Sequence, residues 1–103
     1  RAMKTTETLV WILYDIVENR PRTKIAKLCK EAGLYRVQKS VFLGTIERNR
    51  LDELRLAIEE WYDKQMDSVY IFPMCEPDFK QVILLGQAFD KKMVTDEVRA
   101  LFL

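Results

Sequence analysis

Thr8-Leu9-Val10-Trp11-Ile12-Leu13-Tyr14-Asp15-Ile16 is β-branched and aromatic, and nearly all apolar until Asp15. Such a run reads as a central strand covered on at least one face, with Asp15 at its carboxyl end. Its apolar stretch, Leu9 to Tyr14, ends at Asp15 and is too short for a membrane span or a signal core. Working outward, Asn19 can cap a helix and Pro21 can occupy its first turn. Ile25, Leu28, Cys29 and Ala32 then recur at helical spacing until Gly33 stops it. Residues 34–46 read as two short strands, Tyr35 to Gln38 and Ser40 to Ile46, with no obvious turn dipeptide between them. A second helix begins near Asn49, whose side chain can cap, and buries Leu51, Leu54, Ile58, Trp61 and Tyr62 beneath an acidic outer face. Ser68 to Pro73 is a further apolar strand, Val82 to Leu85 another after the Pro77-Asp78 turn, and Thr95 to Phe102 a weakly amphipathic tail.

The order strand, helix, two strands, helix, strand is the βαββαβ arrangement of a ferredoxin-like α+β sandwich. At 103 residues the chain is expected to form one domain, since a single sheet covered by two helices is about as much core as that length builds. Arg1-Ala2 ahead of Met3 reads as a cloning remnant, and residues 79–103 as an extra strand and tail. An additional C-terminal strand with nothing left to cover in its own subunit predicts pairing with a sheet edge of a partner, and so a homodimer.

Net charge is only +1, which excludes a global electrostatic argument for a polyanionic partner. The distribution is more informative. Residues 20–50 hold nine basic side chains against Glu31 and Glu47, while residues 51–103 hold six basic against eleven acidic. The protein is a charge dipole whose first half suits a polyanion. Arg20, Arg22, Lys24 and Arg36 are the phosphate-binding candidates, beside the alternative that they only solvate a face. Cys29 and Cys75 lie far apart with no second Cys or His at ligand spacing, and the chain has no histidine, so a zinc site is not expected, and a reducing, cytoplasmic compartment is.

Asp15, following an apolar strand and preceding a cation-rich helix, has two readings. It bonds backbone amides of the next turn, or it ligates a metal. One carboxylate per chain holds a hard cation poorly, but two copies facing each other across a twofold axis make an all-oxygen site suited to magnesium or manganese. Phe42 and Tyr14 read as core or interface residues before they read as base-stacking platforms.

Four ordered segments then carry a resemblance: Tyr14-Asp15-Ile16; Arg22 and Lys24 opening a basic helix; Arg36-Val37-Gln38-Lys39-Ser40-Val41-Phe42-Leu43-Gly44; and Asp67-Ser68-Val69-Tyr70-Ile71-Phe72. Together they resemble the Cas-two family of CRISPR-associated proteins. The resemblance implies a homodimer of ferredoxin-like subunits, metal-dependent cleavage of RNA or DNA phosphodiesters in some members, and a scaffolding role beside the CRISPR integrase in spacer acquisition. By matching motif it implies Asp15 as metal ligand with Tyr14 as its neighbour. Arg22, Lys24 and Arg36 become phosphate contacts, with Ser40 and Phe42 as supports of the catalytic site. Lys24 stands where relatives often place Arg, and Leu43 where they often carry Glu. Two readings follow, a magnesium-dependent endonuclease and a non-catalytic DNA-binding adaptor of the integrase. A small-molecule regulatory domain finds no pocket signature in the sequence. Val94, Val98, Leu101 and Phe102 give the tail an apolar surplus suited to docking on the integrase.

Overall fold

The computed structural model describes residues 3–88. Strand β1 (Glu7–Asp15) is followed by helix α1 (Asn19–Glu31), strands β2 (Tyr35–Gln38) and β3 (Val41–Glu47), helix α2 (Arg48–Glu59), strand β4 (Ser68–Met74) and the short helix α3 (Glu76–Phe79). The sheet order is β2-β3-β1-β4. Both neighbours of β1 run antiparallel to it, with Ile12 opposite Phe42 on one side and Ile71 on the other. This is the expected ferredoxin-like α+β arrangement, with the Thr8–Ile16 run as a central strand.

Side chains alternate across a strand, and β1 uses both faces. Val10, Ile12 and Tyr14 point to the helix side, where they join Ile25, Ala26 and Cys29 of α1, Leu54 and Ile58 of α2, and Phe42 and Ile46 of β3. Leu9 and Trp11 point the other way, to a smaller cluster with Val37, Leu43 and Phe79. Helix α1 ends where Gly33 takes φ +87°. There the Leu34 amide donates to the Cys29 carbonyl and the Gly33 amide to the Lys30 carbonyl, the paired bonds of a Schellman cap.

Both expected asparagine caps are corrected. The residues flanking the two helices are Glu18 and Glu47, and neither makes a side-chain cap hydrogen bond. Asn19 lies inside the first turn of α1, where its side-chain oxygen is taken by the Arg22 guanidinium. At the β3–α2 junction the Arg48 amide donates to the Thr6 carbonyl at 2.9 Å, so the helix starts directly off the strand, ahead of Asn49.

Within the subunit, Val82 to Leu85, expected as an additional strand pairing with a partner's sheet edge, form no ladder among the described residues. The chain leaves β4, forms α3, buries Phe79 against Leu9, Val37 and Leu43, and reaches β2, where the Gln38 side-chain amide donates to the Gln87 carbonyl at 2.5 Å. Thr95 to Phe102 lies outside the described residues. No helix among the described residues is long and apolar enough to cross a membrane.

Candidate nucleic-acid interface

At the carboxyl end of β1, Asp15 is exposed and stands opposite Ser68 in register. Its carboxylate forms no hydrogen bond or ion pair among the described residues. The backbone role open to it is filled by another acid. Asp67, with only 9% of its surface exposed, accepts the Val17 amide on one oxygen and the Asp63 amide on the other, each at 2.9 Å. The β1–α1 connection is thereby fixed from the α2–β4 loop. Sequence reasoning missed Asp67 in this role. The signal lay in the topology, since a β1–β4 pairing that sets Ser68 against Asp15 brings residue 67 to the turn after β1.

The β2–β3 hairpin folds onto the same end of β1. Its two-residue turn, Lys39-Ser40, uses no positive φ, and a bulge between Arg36 and Gln38 absorbs the twist. The Tyr14 amide donates to the Ser40 carbonyl at 3.1 Å. The Lys39 carbonyl is a hub: it accepts from the Tyr14 hydroxyl at 3.3 Å and from Arg36 Nε and Nη2 at 3.0 and 2.5 Å. Tyr14 stacks on Phe42 with centroids 6.3 Å apart, and the Arg36 guanidinium lies 5.7 Å above the Phe42 ring. Burial pushes the Tyr14 phenol above its ordinary value, against the lowering effect of Arg36, so it stays a donor at neutral pH. Phe42 is fully buried and Tyr14 nearly so. Neither ring is open to a substrate, and both act here by holding Arg36 and the hairpin in place.

Between this hairpin and α1 is a cleft of about 450 Å³ lined by Arg22, Lys27, Lys30, Arg36 and Lys39 together with Asn19, Thr23 and Ser40, with no carboxylate in its wall. Five cations around one opening make a site for phosphate oxygens. Arg20 and Lys24 are elsewhere, on the other flank of α1, 5.8 and 5.5 Å from the centroid of Trp61. The structure therefore brings together Arg22, Arg36 and Ser40, adds Lys27, Lys30 and Lys39, and sets Arg20 and Lys24 apart. It also separates the cleft from Asp15. Tyr14 and Phe42 belong to the helix face, whereas Asp15 continues the Trp11, Leu13 row on the opposite face, at the same end of the strand.

On that opposite face Trp11 pairs with Phe72 and Leu13 with Tyr70. Directly opposed residues share a face, and Tyr70 and Phe72 keep 52% and 50% of their surface exposed. A groove of about 650 Å³ runs over Trp11, Leu13, Phe72 and Met74 to Val82 and Leu84. No three His, Cys, Asp or Glu side chains come together in metal-ligating range among the described residues. One subunit offers a hard cation a single carboxylate at this tip, which does not by itself make a metal centre.

The family model described as CRISPR associated protein Cas2 matches residues 8–82. The CRISPR-associated endoribonuclease Cas2 of Desulforudis audaxviator is 38% identical over 69 residues, 67% of this chain and 65% of that relative. The protein of the same description from Korarchaeum cryptofilum is 30% identical over 78 residues, 76% of this chain and 84% of its own length. A Cas2 crystal structure, 27% identical, superposes with a TM-score of 0.68 over 86% of this chain and 95% of that one.

Proposed function

Because the chain belongs to the CRISPR-associated Cas2 family, we propose that it acts as a homodimer beside the CRISPR integrase in spacer acquisition, and that it cleaves RNA phosphodiesters as a metal-dependent endoribonuclease. A cytoplasmic location goes with that role. The observation that carries the reading is Asp15. It has no hydrogen bond or ion pair among the described residues and stands at the tip of β1, on the same face as the apolar row of Trp11, Leu13, Tyr70 and Phe72. A second copy packed on this face buries the row and brings a second Asp15 to the axis.

Two facing carboxylates are the oxygen donor set that magnesium or manganese takes. Held there, the ion would supply charge neutralisation at the scissile phosphate and activation of the attacking water. The chain's own residues have separate tasks. Arg22, Arg36 and the lysines of the cleft grip the phosphate backbone, with Arg20 and Lys24 as a second contact. Ser40 and Phe42 hold the hairpin and Arg36. Among the proton acceptors, Asp67 has both oxygens committed to backbone amides, the Tyr14 proton is directed at the Lys39 carbonyl, and the chain contains no histidine. Asp15 is the carboxylate assigned to the reaction, exposed at the strand tip and without a hydrogen bond or ion pair among the described residues.

The test is cleavage of single-stranded RNA by purified protein with magnesium. Asp15→Ala is expected to abolish cleavage and to retain binding, and equal activity in the two proteins overturns the reading. A specific observation favours a second reading, the non-catalytic adaptor. The cation cleft lies on the face opposite Asp15, so duplex DNA can be gripped without it. Under that reading spacer integration survives Asp15→Asn and is lost with the basic cluster.

A further inference from the structure

Helix α1 stands as a ridge between two depressions. Asn19, Thr23 and Lys27, four residues apart, line both of them, so they form the crest. One flank carries Arg22 and Lys30, faced by Arg36 and Lys39 of the hairpin. The other carries Arg20 and Lys24, set against the Trp61 ring. Neither lining contains a carboxylate. The acids Glu18 and Glu31 lie at the two ends of the helix. Cations are thus arranged in two rows with an uncharged or cationic crest between them, which differs from the single row that one backbone requires.

We propose that α1 enters the major groove of B-form DNA, its crest toward the base edges and the phosphates of the two strands in the two depressions. This rests on the nucleic-acid-binding reading above and adds to it a groove and an orientation. The dimensions agree. A helix with its side chains is about 10–12 Å across, and the B-form major groove is about 12 Å wide and about 8.5 Å deep. The 13 residues of α1 extend about 20 Å at 1.5 Å per residue, enough for about six base pairs. A single strand fills one depression and leaves the other empty. Duplex RNA has a deep, narrow major groove that does not admit the ridge. Duplex DNA is the partner that uses both cation rows. Trp61 contributes by holding Arg20 and Lys24 upright on their flank through cation–π contact.

Dimethyl sulfate probing of a short mixed-sequence DNA duplex saturated with the whole protein tests this. Methylation at guanine N7, on the major-groove edge, is expected to fall at least threefold, while adenine N3, in the minor groove, stays unchanged. Thr23 is exposed, so Thr23→Glu keeps the helix. It places a carboxylate on the crest and is expected to weaken duplex affinity at least tenfold. Wild-type affinity in Thr23→Glu, or guanine N7 left reactive in a bound complex, overturns the groove assignment and leaves the phosphate-binding reading intact. Binding of single strands without duplex does the same. Failure to bind any nucleic acid removes both.

Discussion

The carboxylate of Asp67 accepts the amide of Val17 at 2.9 Å across fifty residues of sequence, and this bond decides what Asp15 is free to do. The turn after a buried strand needs an acceptor for its amides. Because Asp67 meets that need from the α2–β4 loop, the carboxylate at the strand tip is spared.

Asp67 and Asp15 are therefore expected to differ in kind when replaced. Asp67→Ala leaves the Val17 and Asp63 amides without their partner in a nearly closed site, at a cost of about 2 kcal/mol. That corresponds to a melting temperature lower by roughly 8–16 °C in a domain of this size. Asp15→Asn, at an exposed position without partners among the described residues, is expected to stay within about 0.5 kcal/mol of the parent. Urea unfolding of both variants checks the contrast, and equal losses would contradict it.

The cleft cations should act as phosphate contacts. Arg22→Ala and Lys30→Ala are each expected to lower nucleic-acid affinity and to reduce the slope of log affinity against log salt by about one. Arg36→Lys should lose more than charge conservation suggests. A lysine has no planar fork to place on the Lys39 carbonyl while lying over Phe42. Fluorescence anisotropy over a salt series reads both effects.

The open sheet face should carry the dimer. Phe72 is half exposed in one subunit, so Phe72→Glu is expected to leave the fold cooperative while a dimer becomes a monomer on size exclusion. RNA cleavage should vanish with it. A Phe72→Glu protein that elutes as a dimer and cleaves normally would place the interface elsewhere.

The two cysteines should separate by reactivity. Cys29 is buried in the helix-side cluster and burial pushes its thiol up to about 12, whereas Cys75 is exposed. Near pH 8 a disulfide reagent is expected to titrate one thiol in the native protein and two in denaturant. The linkage has a definite sign. Native Cys29 keeps its proton after the unfolded thiol, near 9.0, has lost it. The associated stability is whole below pH 9 and declines as pH rises from there toward 12. Cys29→Ser should abolish that decline.

The order of elements was legible because each has its own period. Thr8–Ile16 is continuous and short, and Ile25, Ala26, Cys29 and Leu54, Ile58 fall at helical spacing. The parts that were not legible depend on partners distant in sequence. The asparagine caps shifted because Arg22 claims the Asn19 oxygen and Thr6 claims the Arg48 amide. Val82 to Leu85 has the composition of a strand, but a strand exists only beside another. At the site, Asp15 and the basic character of α1 were visible in the sequence. The division of its cations between two flanks was not, since it depends on where the hairpin and Trp61 come to rest.

Successive residues of β1 face opposite sides of the sheet. Positions of Tyr14's parity pack against the two helices; of Asp15's parity, Leu9 is covered by Phe79, while Trp11, Leu13 and Asp15 belong to the open face. The two faces can change independently: loss of the carboxylate at the tip leaves in place the helix-side residues that seat α1 and, with it, the cation cleft.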